Sequence, residues 1–379
     1  MKQAKAAIAK GALFFFGDEK RQRITIPIFA ILFSLVLGSI IILFIGHNPI
    51  QAYTSLLQGS GLLQKANYAG GKSMLTDFTS FINALTPTLF ATLSICVGLR
   101  AGLFNIGVSG QMLFAGYMST ILVGYSDLPA LVAKPLVIVV AALFGALLAG
   151  LIGYLKYRFN INEVVSSIMF NYIVQYITGF FINTKYIDVI SRQSRVVSSQ
   201  SQLTLTSYPV GDLKMDIPLG IVLALICVAL LHIYIERTTY GYELKTVGSN
   251  PESARYSGIS VGRTLVVSMM ISGALAGLAG ATYYLGYFST IPPGVLPSIG
   301  FDAIAVALLA NANPIGAIFT SFVITIFSKG SIFMSSSTGM VSEIASVITA
   351  VVLLCSACSG YVSYKIKQAK DVVGGALDD

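Results

Sequence analysis

The chain has 379 residues, 55% of them apolar and only 11% charged, with a mean hydropathy of +0.78. Soluble domains carry about a quarter of their residues as charges, so a water-soluble globule of this length is excluded for want of polar covering. The net charge of +8 raises a nucleic-acid footprint, but the basic residues gather at the ends of apolar runs, which is the sorting pattern of membrane insertion.

In chain order, residues 2–16 set Lys2, Lys5 and Lys10 against Phe14, Phe15 and Phe16, the pattern of a short amphipathic helix on a membrane surface. Lys10 interrupts this patch and the next apolar run is long, so a cleavable signal is not expected. Apolar runs between polar breaks then predict ten spans, near 24–46, 84–99, 104–125, 131–155, 163–183, 217–235, 264–288, 300–312, 314–334 and 341–360. Most approach the roughly 20 residues needed to cross a bilayer, and the eighth is short. Short or broken helices are where transporters expose backbone to a permeation path.

With the N-terminus placed in the cytoplasm, 16 of the 24 Lys and Arg residues fall inside, 7 outside and 1, Lys329, near the outer end of a span. The outer seven lie mainly in the long segments 47–83 and 186–216, where charge orients a chain least. The expected fold is an all-α polytopic membrane protein of about ten transmembrane helices with both termini cytoplasmic. Its expected divisions are a cytoplasmic amphipathic segment (1–23), a transmembrane domain (24–360) and a cytoplasmic tail (361–379). The Ser-rich stretch 191–207 reads as a mobile external loop open to a partner.

Little here supports chemistry. Cys96, Cys227, Cys355 and Cys358 all fall in expected spans; the CxxC of Cys355 and Cys358 lacks a second pair or a nearby His, and reads as packing. Gly70-Gly71-Lys72-Ser73 approaches a phosphate-binding loop, but Ala66 stands where that loop needs glycine. His47 and His232 stand alone, and no paired carboxylates form an acid–base constellation. No catalytic residue, metal site or cofactor is expected, and any driving energy must come from a partner or an ion gradient.

The connection 236–263 is the most informative stretch. Asn250 suits an N-cap, Pro251 the first helical position, Glu252 the positive end of the dipole and Gly258 the C-terminal stop. A plain structured loop is the alternative to a force-transmitting helix.

Here a resemblance enters. Gly241-Tyr242-Glu243-Leu244, Val247-Gly248-Ser249-Asn250-Pro251 and Ala254-Arg255-Tyr256-Ser257-Gly258-Ile259 look like the cytoplasmic segment of ABC importer permeases of the ribose and branched-chain amino-acid class. Residues 98–111 (GLRAGLFNIGVSGQ), 162–173 (NEVVSSIMFNYI), 300–309 (GFDAIAVALL) and 313–316 (NPIG) resemble further segments of that class, in the same order. The resemblance spans about 24–360. Residues 104–111 with 162–173 are similar to the nucleoside-importing branch, whereas sugar permeases carry a DLSVG-type sequence at the first site. Asn311 departs from the glycine or basic residue often found there.

The resemblance implies a bacterial cytoplasmic-membrane permease that imports nucleosides. It implies as partners a second related permease in a heterodimer, an ATP-binding subunit that holds the ATP and Mg, and an extracellular substrate-binding lipoprotein, all among membrane lipids and without nucleic acid. It also implies that Gly248, Asn250, Pro251, Glu252, Arg255 and Gly258 couple ATP hydrolysis to transport. A permease for ribose, another small sugar or an amino acid is the alternative, and an ion-driven secondary transporter is the rival class.

Polar side chains within spans are costly and mark a path or interhelical bonds. Asn105, Ser109 and Gln111 flank a glycine-rich break, and Glu163 and Asn171 lie two turns apart on one face. Both readings stay open for these, though Glu163 also fits a helix start. Asn83 and Asp302 read as caps of the second and eighth spans. Gly273, Gly277 and Gly280 read as close helix packing. Tyr283, Tyr284, Tyr287 and Phe288 form an aromatic belt or stack on a base, with Tyr284 as the candidate path residue.

Overall fold

The computed structural model describes residues 19–357, except Ala69, Asp212 and Ser342. The expectations for residues 2–16, the tail 361–379 and Cys358 lie outside the described residues.

In chain order the helices are α1 (Glu19–Phe44), α2 (Pro49–Gly59), α3 (Met74–Arg100), α4 (Val108–Ser119), α5 (Ala130–Phe159), α6 (Glu163–Phe181), α7 (Gly220–Arg237), α8 (Thr239–Ser249), α9 (Pro251–Tyr256), α10 (Val261–Thr282), α11 (Ile299–Leu309), α12 (Pro314–Thr338) and α13 (Glu343–Ala357). Single π turns, Thr120–Gly124, Ile182–Tyr186 and Tyr283–Tyr287, continue α4, α6 and α10. Among the described residues six helices (α3, α5, α6, α7, α10 and α12) are long and apolar enough to cross a bilayer, and α1 with α2 makes a seventh if counted together. Helix α4 with its π turn, and α11, are apolar but shorter. The protein is a multi-pass membrane protein, mostly helical, and among the described residues a helix falls within each expected apolar run.

The chain divides into two compact units, residues 56–333 and the remainder. In the smaller, the Tyr53 hydroxyl donates to Leu35 O at 2.7 Å, and Ser337 Oγ to Ser55 Oγ at 2.9 Å. In the larger, α10 is central. A Cβ on Gly277 would overlap Ala141 O of α5, and one on Gly273 would overlap Gly145 O. Without a hydrophobic drive between helices in lipid, such backbone contact is what supplies van der Waals attraction. The glycine run of α10 is a packing face.

Two features depart from the expectations. Helix α3 begins at Met74, not near 84, and Ser73 N donates to Thr76 Oγ1 at 3.0 Å at its start. Thr76, Asp77, Thr79, Ser80 and Asn83 interrupt the apolar run but not the helix. Asn83 therefore caps nothing: it lies buried in α3, and its Oδ1 accepts from Thr204 Oγ1 at 2.9 Å.

The second departure is the Ser-rich stretch, which is ordered rather than loose. It leads into an antiparallel hairpin, β1 (Thr204–Val210) and β2 (Leu213–Pro218), pairing Thr204 with Pro218 and Val210 with Leu213. This is a small exception to an all-α reading. The segment before it, with Leu203, donates backbone N–H groups to two of the π turns: Ser198 to Gly124 O (2.9 Å) and Leu203 to Leu285 O (2.8 Å). It also donates to the chain beyond α10, from Val197 to Ser289 O (3.1 Å) and from Ser194 to Ile291 O (3.0 Å). Helix ends leave carbonyls without intrahelical partners, and this segment satisfies them.

Candidate functional site

The break between α3 and α4 carries most of the buried polar side chains expected to matter. Ending one helix and starting another inside an apolar bundle orphans several N–H and C=O groups, and none can be left bare in hydrocarbon. Asn105 and Asn171 meet this need. Asn105 Oδ1 accepts from Gly107 N at 3.0 Å; Asn171 Oδ1 accepts from Gly110 N at 2.9 Å, and its Nδ2 donates to Ile106 O at 3.1 Å. The Asn105 and Gln111 amides exchange two hydrogen bonds, each 3.0 Å.

Asn105 Nδ2 also donates to Ser272 Oγ of α10 at 2.9 Å, and Ser272 Oγ donates to Ser94 O of α3 at 2.8 Å. Ser109 Oγ donates to Pro297 O, just ahead of α11, at 2.9 Å. Asn105, Ser109, Gln111, Asn171, Ser94 and Ser272 are all buried. Together they form a clasp that ties α3, α4, α6, α10 and the lead into α11 around one helix break. Removing one partner would leave a buried polar group unsatisfied, at a cost of about 1–3 kcal/mol.

The other two candidates stand apart from this clasp. Glu163 opens α6 beside its cap Asn162, whose Oδ1 accepts from Val164 N at 2.8 Å. Its carboxylate pairs with Lys156 near the end of α5 at 2.5 Å, two turns or roughly 12 Å along α6 from Asn171. Tyr284 is buried at 1% exposure, its ring against Gly116 of α4 and edge-on to Tyr283 with centroids 4.9 Å apart. Among the aromatic residues ending α10, Phe288 is the exposed one, with Tyr283 and Tyr287 half-buried. Asp302 sits in the first turn of α11.

The connection after α7 builds two helices where the sequence suggested one. Thr238 caps α8, its Oγ1 accepting from Gly241 N at 3.1 Å; that cap is visible in the sequence but Gly241 obscures it, since glycine disfavours a helix interior. Asn250 caps α9, its Oδ1 accepting from Glu252 N (3.0 Å) and Ser253 N (3.1 Å), with Pro251 at the first position. Gly258, at φ +79°, ends it: Gly258 N donates to Arg255 O and Ile259 N to Ala254 O, both 3.0 Å, the paired bonds of a glycine-terminated helix.

Helix α9 shows its charges to the outside. Glu252 and Arg255 pair at 3.6 Å with 70% of each side chain exposed, whereas Ala254 beneath them is buried. A shallow cavity of about 540 Å³, lined by Tyr157, Arg255 and Arg263 among others, flanks it. Such an exposed pair adds little stability, so these charges are free for a partner. The platform is seated by Gly248, whose added Cβ would overlap Arg100 O and lie 2.8 Å from Gly102 N. Arg100 in turn donates from Nε to Ala312 O at 2.9 Å, in the turn between α11 and α12. Platform, α3 and the α11–α12 turn are thus joined through one residue.

Comparison with known proteins decides the family. The profile described as branched-chain amino acid transport system, permease component, matches residues 78–357. The chain belongs to this family. It is therefore an ABC-type permease, a transport component rather than an enzyme. It is 31% identical over 363 residues to the nucleoside ABC transporter permease protein NupB of Lactococcus lactis subsp. cremoris, covering 94% of this chain and 96% of that one. It is likewise 31% identical over 354 residues to the guanosine ABC transporter permease protein NupP of Bacillus subtilis, covering 93% and 98%. The L. lactis nucleoside permease NupC is 24% identical over 247 residues, covering 64% and 78%.

Proposed function

We propose that this permease carries nucleosides into the cell across the bacterial cytoplasmic membrane, driven by ATP hydrolysis in a separate subunit. The observation that carries the substrate class is the 31% identity, along nearly their whole length, to a nucleoside and a guanosine permease. The α8–α9 end of the bundle lies in the cytoplasm in this reading, as do both termini, and ten apolar runs cross or enter the membrane. The divisions are a surface segment over 1–23, the membrane domain 24–360 with its coupling connection 236–263, and a tail from 361.

In this reading α9 docks on the ATP-binding subunit, which holds ATP and Mg, and Gly248, Asn250, Pro251, Glu252, Arg255 and Gly258 shape the contact. Movement of α9 reaches α3 through Gly248 and Arg100. A second related permease completes the path, and the presence of both NupB and NupC in L. lactis supports such a pair. An extracellular lipoprotein delivers substrate at the hairpin end. The clasp at Asn105, Ser109, Gln111 and Asn171 keeps the broken helix intact beside the path, with Glu163 and Tyr284 at its two ends.

The test is uptake of labelled uridine in cells with and without this chain, in a strain lacking other nucleoside carriers, with unlabelled adenosine, ribose and leucine as competitors. Loss of uptake on deletion, with competition by adenosine alone, is the expected result. Unchanged uridine uptake would return the substrate to sugars or amino acids.

A further inference from the structure

Lys329 lies on α12, fifteen residues beyond Pro314, or roughly 22 Å along a helix that must cross about 30 Å of hydrocarbon. An ionisable side chain at that depth is expensive and calls for a partner or a cavity. No ion pair among the described residues includes Lys329. Its Nζ instead donates to the Tyr287 hydroxyl at 3.3 Å and stands 5.2 Å from the centre of that ring. An ammonium has three donors, so two remain unspent.

The π turn at the end of α10 assembles the aromatic side of the same place. Phe288 N bonds Tyr283 O five residues back at 3.0 Å, which brings Phe288 beneath Tyr283 with centroids 4.9 Å apart. In a regular α-helix residues five apart diverge; π turns recur at functional sites because they re-aim side chains in this way. Tyr287 meets Phe288 edge-on at 4.7 Å and lies near parallel to Tyr283 at 6.4 Å. Phe288 is 52% exposed. A half-open group of aromatic faces thus stands beside a cation with free donors.

We propose that Lys329 with Tyr283, Tyr287 and Phe288 forms a nucleobase subsite, in which the base lies against an aromatic face and its carbonyl oxygen accepts a hydrogen bond from the Lys329 ammonium. This rests on the nucleoside reading and sharpens it. Stacking accepts any base, whereas the ammonium only donates and bonds best to a carbonyl oxygen, as in uridine and inosine, so that adenosine, which offers it ring nitrogens alone, is disfavoured.

The experiment is equilibrium binding of tritiated uridine, inosine and adenosine to the purified transporter complex, alongside uptake in cells. Lys329→Met is expected to weaken uridine and inosine about tenfold or more, the worth of a hydrogen bond to a charged group, with adenosine little changed. Lys329→Arg should retain most of the preference. Tyr287→Phe, which keeps the ring but frees the ammonium, is a milder variant should Lys329→Met fail to assemble, and should also shift the uridine-to-adenosine ratio. An unchanged ratio in Lys329→Met and Tyr287→Phe, or an equal loss for all three ligands, would make Lys329 a membrane anchor and overturn the subsite. A complex that binds none of the three while cells still take up uridine overturns it as well. Cells that take up none of the three sink the nucleoside reading itself.

Discussion

Two polar connections, 187–219 and 238–260, lie at opposite ends of α7, and the structure uses them in opposite ways. The first has no helix of its own: its later part pairs with itself in the β1–β2 hairpin, and the stretch before that borrows carbonyls from the bundle, where Gly124, Leu285, Ser289 and Ile291 each accept one of its backbone N–H groups. The second satisfies its own backbone in two capped helices and rests on the bundle through Gly248. Its polar side chains are left facing outward, Tyr256 at 92% exposure and Glu252 and Arg255 at 70%. What separates a pinned cap from a displayed platform is where the backbone hydrogen bonds go, not how polar the chain is.

The sharpest break of this comparison is at Gly248. Gly248→Leu puts a side chain into the Arg100 carbonyl and the Gly102 backbone, which cannot retreat without moving the end of α3. Overpacking of this kind costs about 1–3 kcal/mol, enough to unseat α8 and α9. Uptake in cells is expected to fall by about tenfold or more, with ATP hydrolysis by the complex no longer stimulated by substrate. Normal, substrate-stimulated uptake would show that the platform does not act through this contact.

A smaller effect is expected at the opposite end. Asn83→Leu removes the acceptor of the buried Thr204 hydroxyl and costs about 1–3 kcal/mol for the group left unsatisfied. Hydrogen exchange should quicken in 198–218 and stay unchanged in 238–258. Equal acceleration at both ends would mean that the cap and the platform are not separate in stability.

The residues explain how much of this was legible. The apolar runs placed the six helices long and apolar enough to cross a bilayer, because apolar length is a local property. Helix α9 was readable from Asn250, Pro251 and Gly258, since caps are local too. The start of α3 was not, because Thr76, Asp77, Thr79, Ser80 and Asn83 break the apolar run, and the partners of Asp77 and Asn83, Lys65 and Thr204, lie outside the helix, the second 121 residues away. The clasp was half-legible: Asn105, Gln111 and Asn171 stood out as intramembrane amides, but only the fold shows them spending their hydrogen bonds on one another and on backbone. The aromatic group was visible as a run, while the π turn that aligns Tyr283 with Phe288, and Lys329 beside it, came from tertiary structure alone.

The smallest expected effect tests whether the pinned connection depends on its own local turns or on the bundle. Asp188 lies outside the spans, and its carboxylate accepts from Ser191 N at 3.2 Å and Ile190 N at 3.3 Å. The side-chain hydrogen bond from Ser191, and then these backbone bonds, hold its pKa below the ordinary carboxylate value. A depressed folded pKa contributes stability that is present above the unfolded value of about 3.9 and is lost as pH falls through the folded value. Near neutral pH the turn is therefore fully formed, and mild acidification to about pH 5 leaves it intact. Asp188→Ala should quicken hydrogen exchange at 189–193 at pH 7, and the difference from the unsubstituted chain should vanish only below the ordinary carboxylate range. Because Ser194, Val197, Ser198 and Leu203 are tied to the bundle rather than to Asp188, exchange from 194 onward should not change. If it does, the local turn and the borrowed carbonyls form one cooperative unit, and the cap is held as much from within as by the helices beneath it.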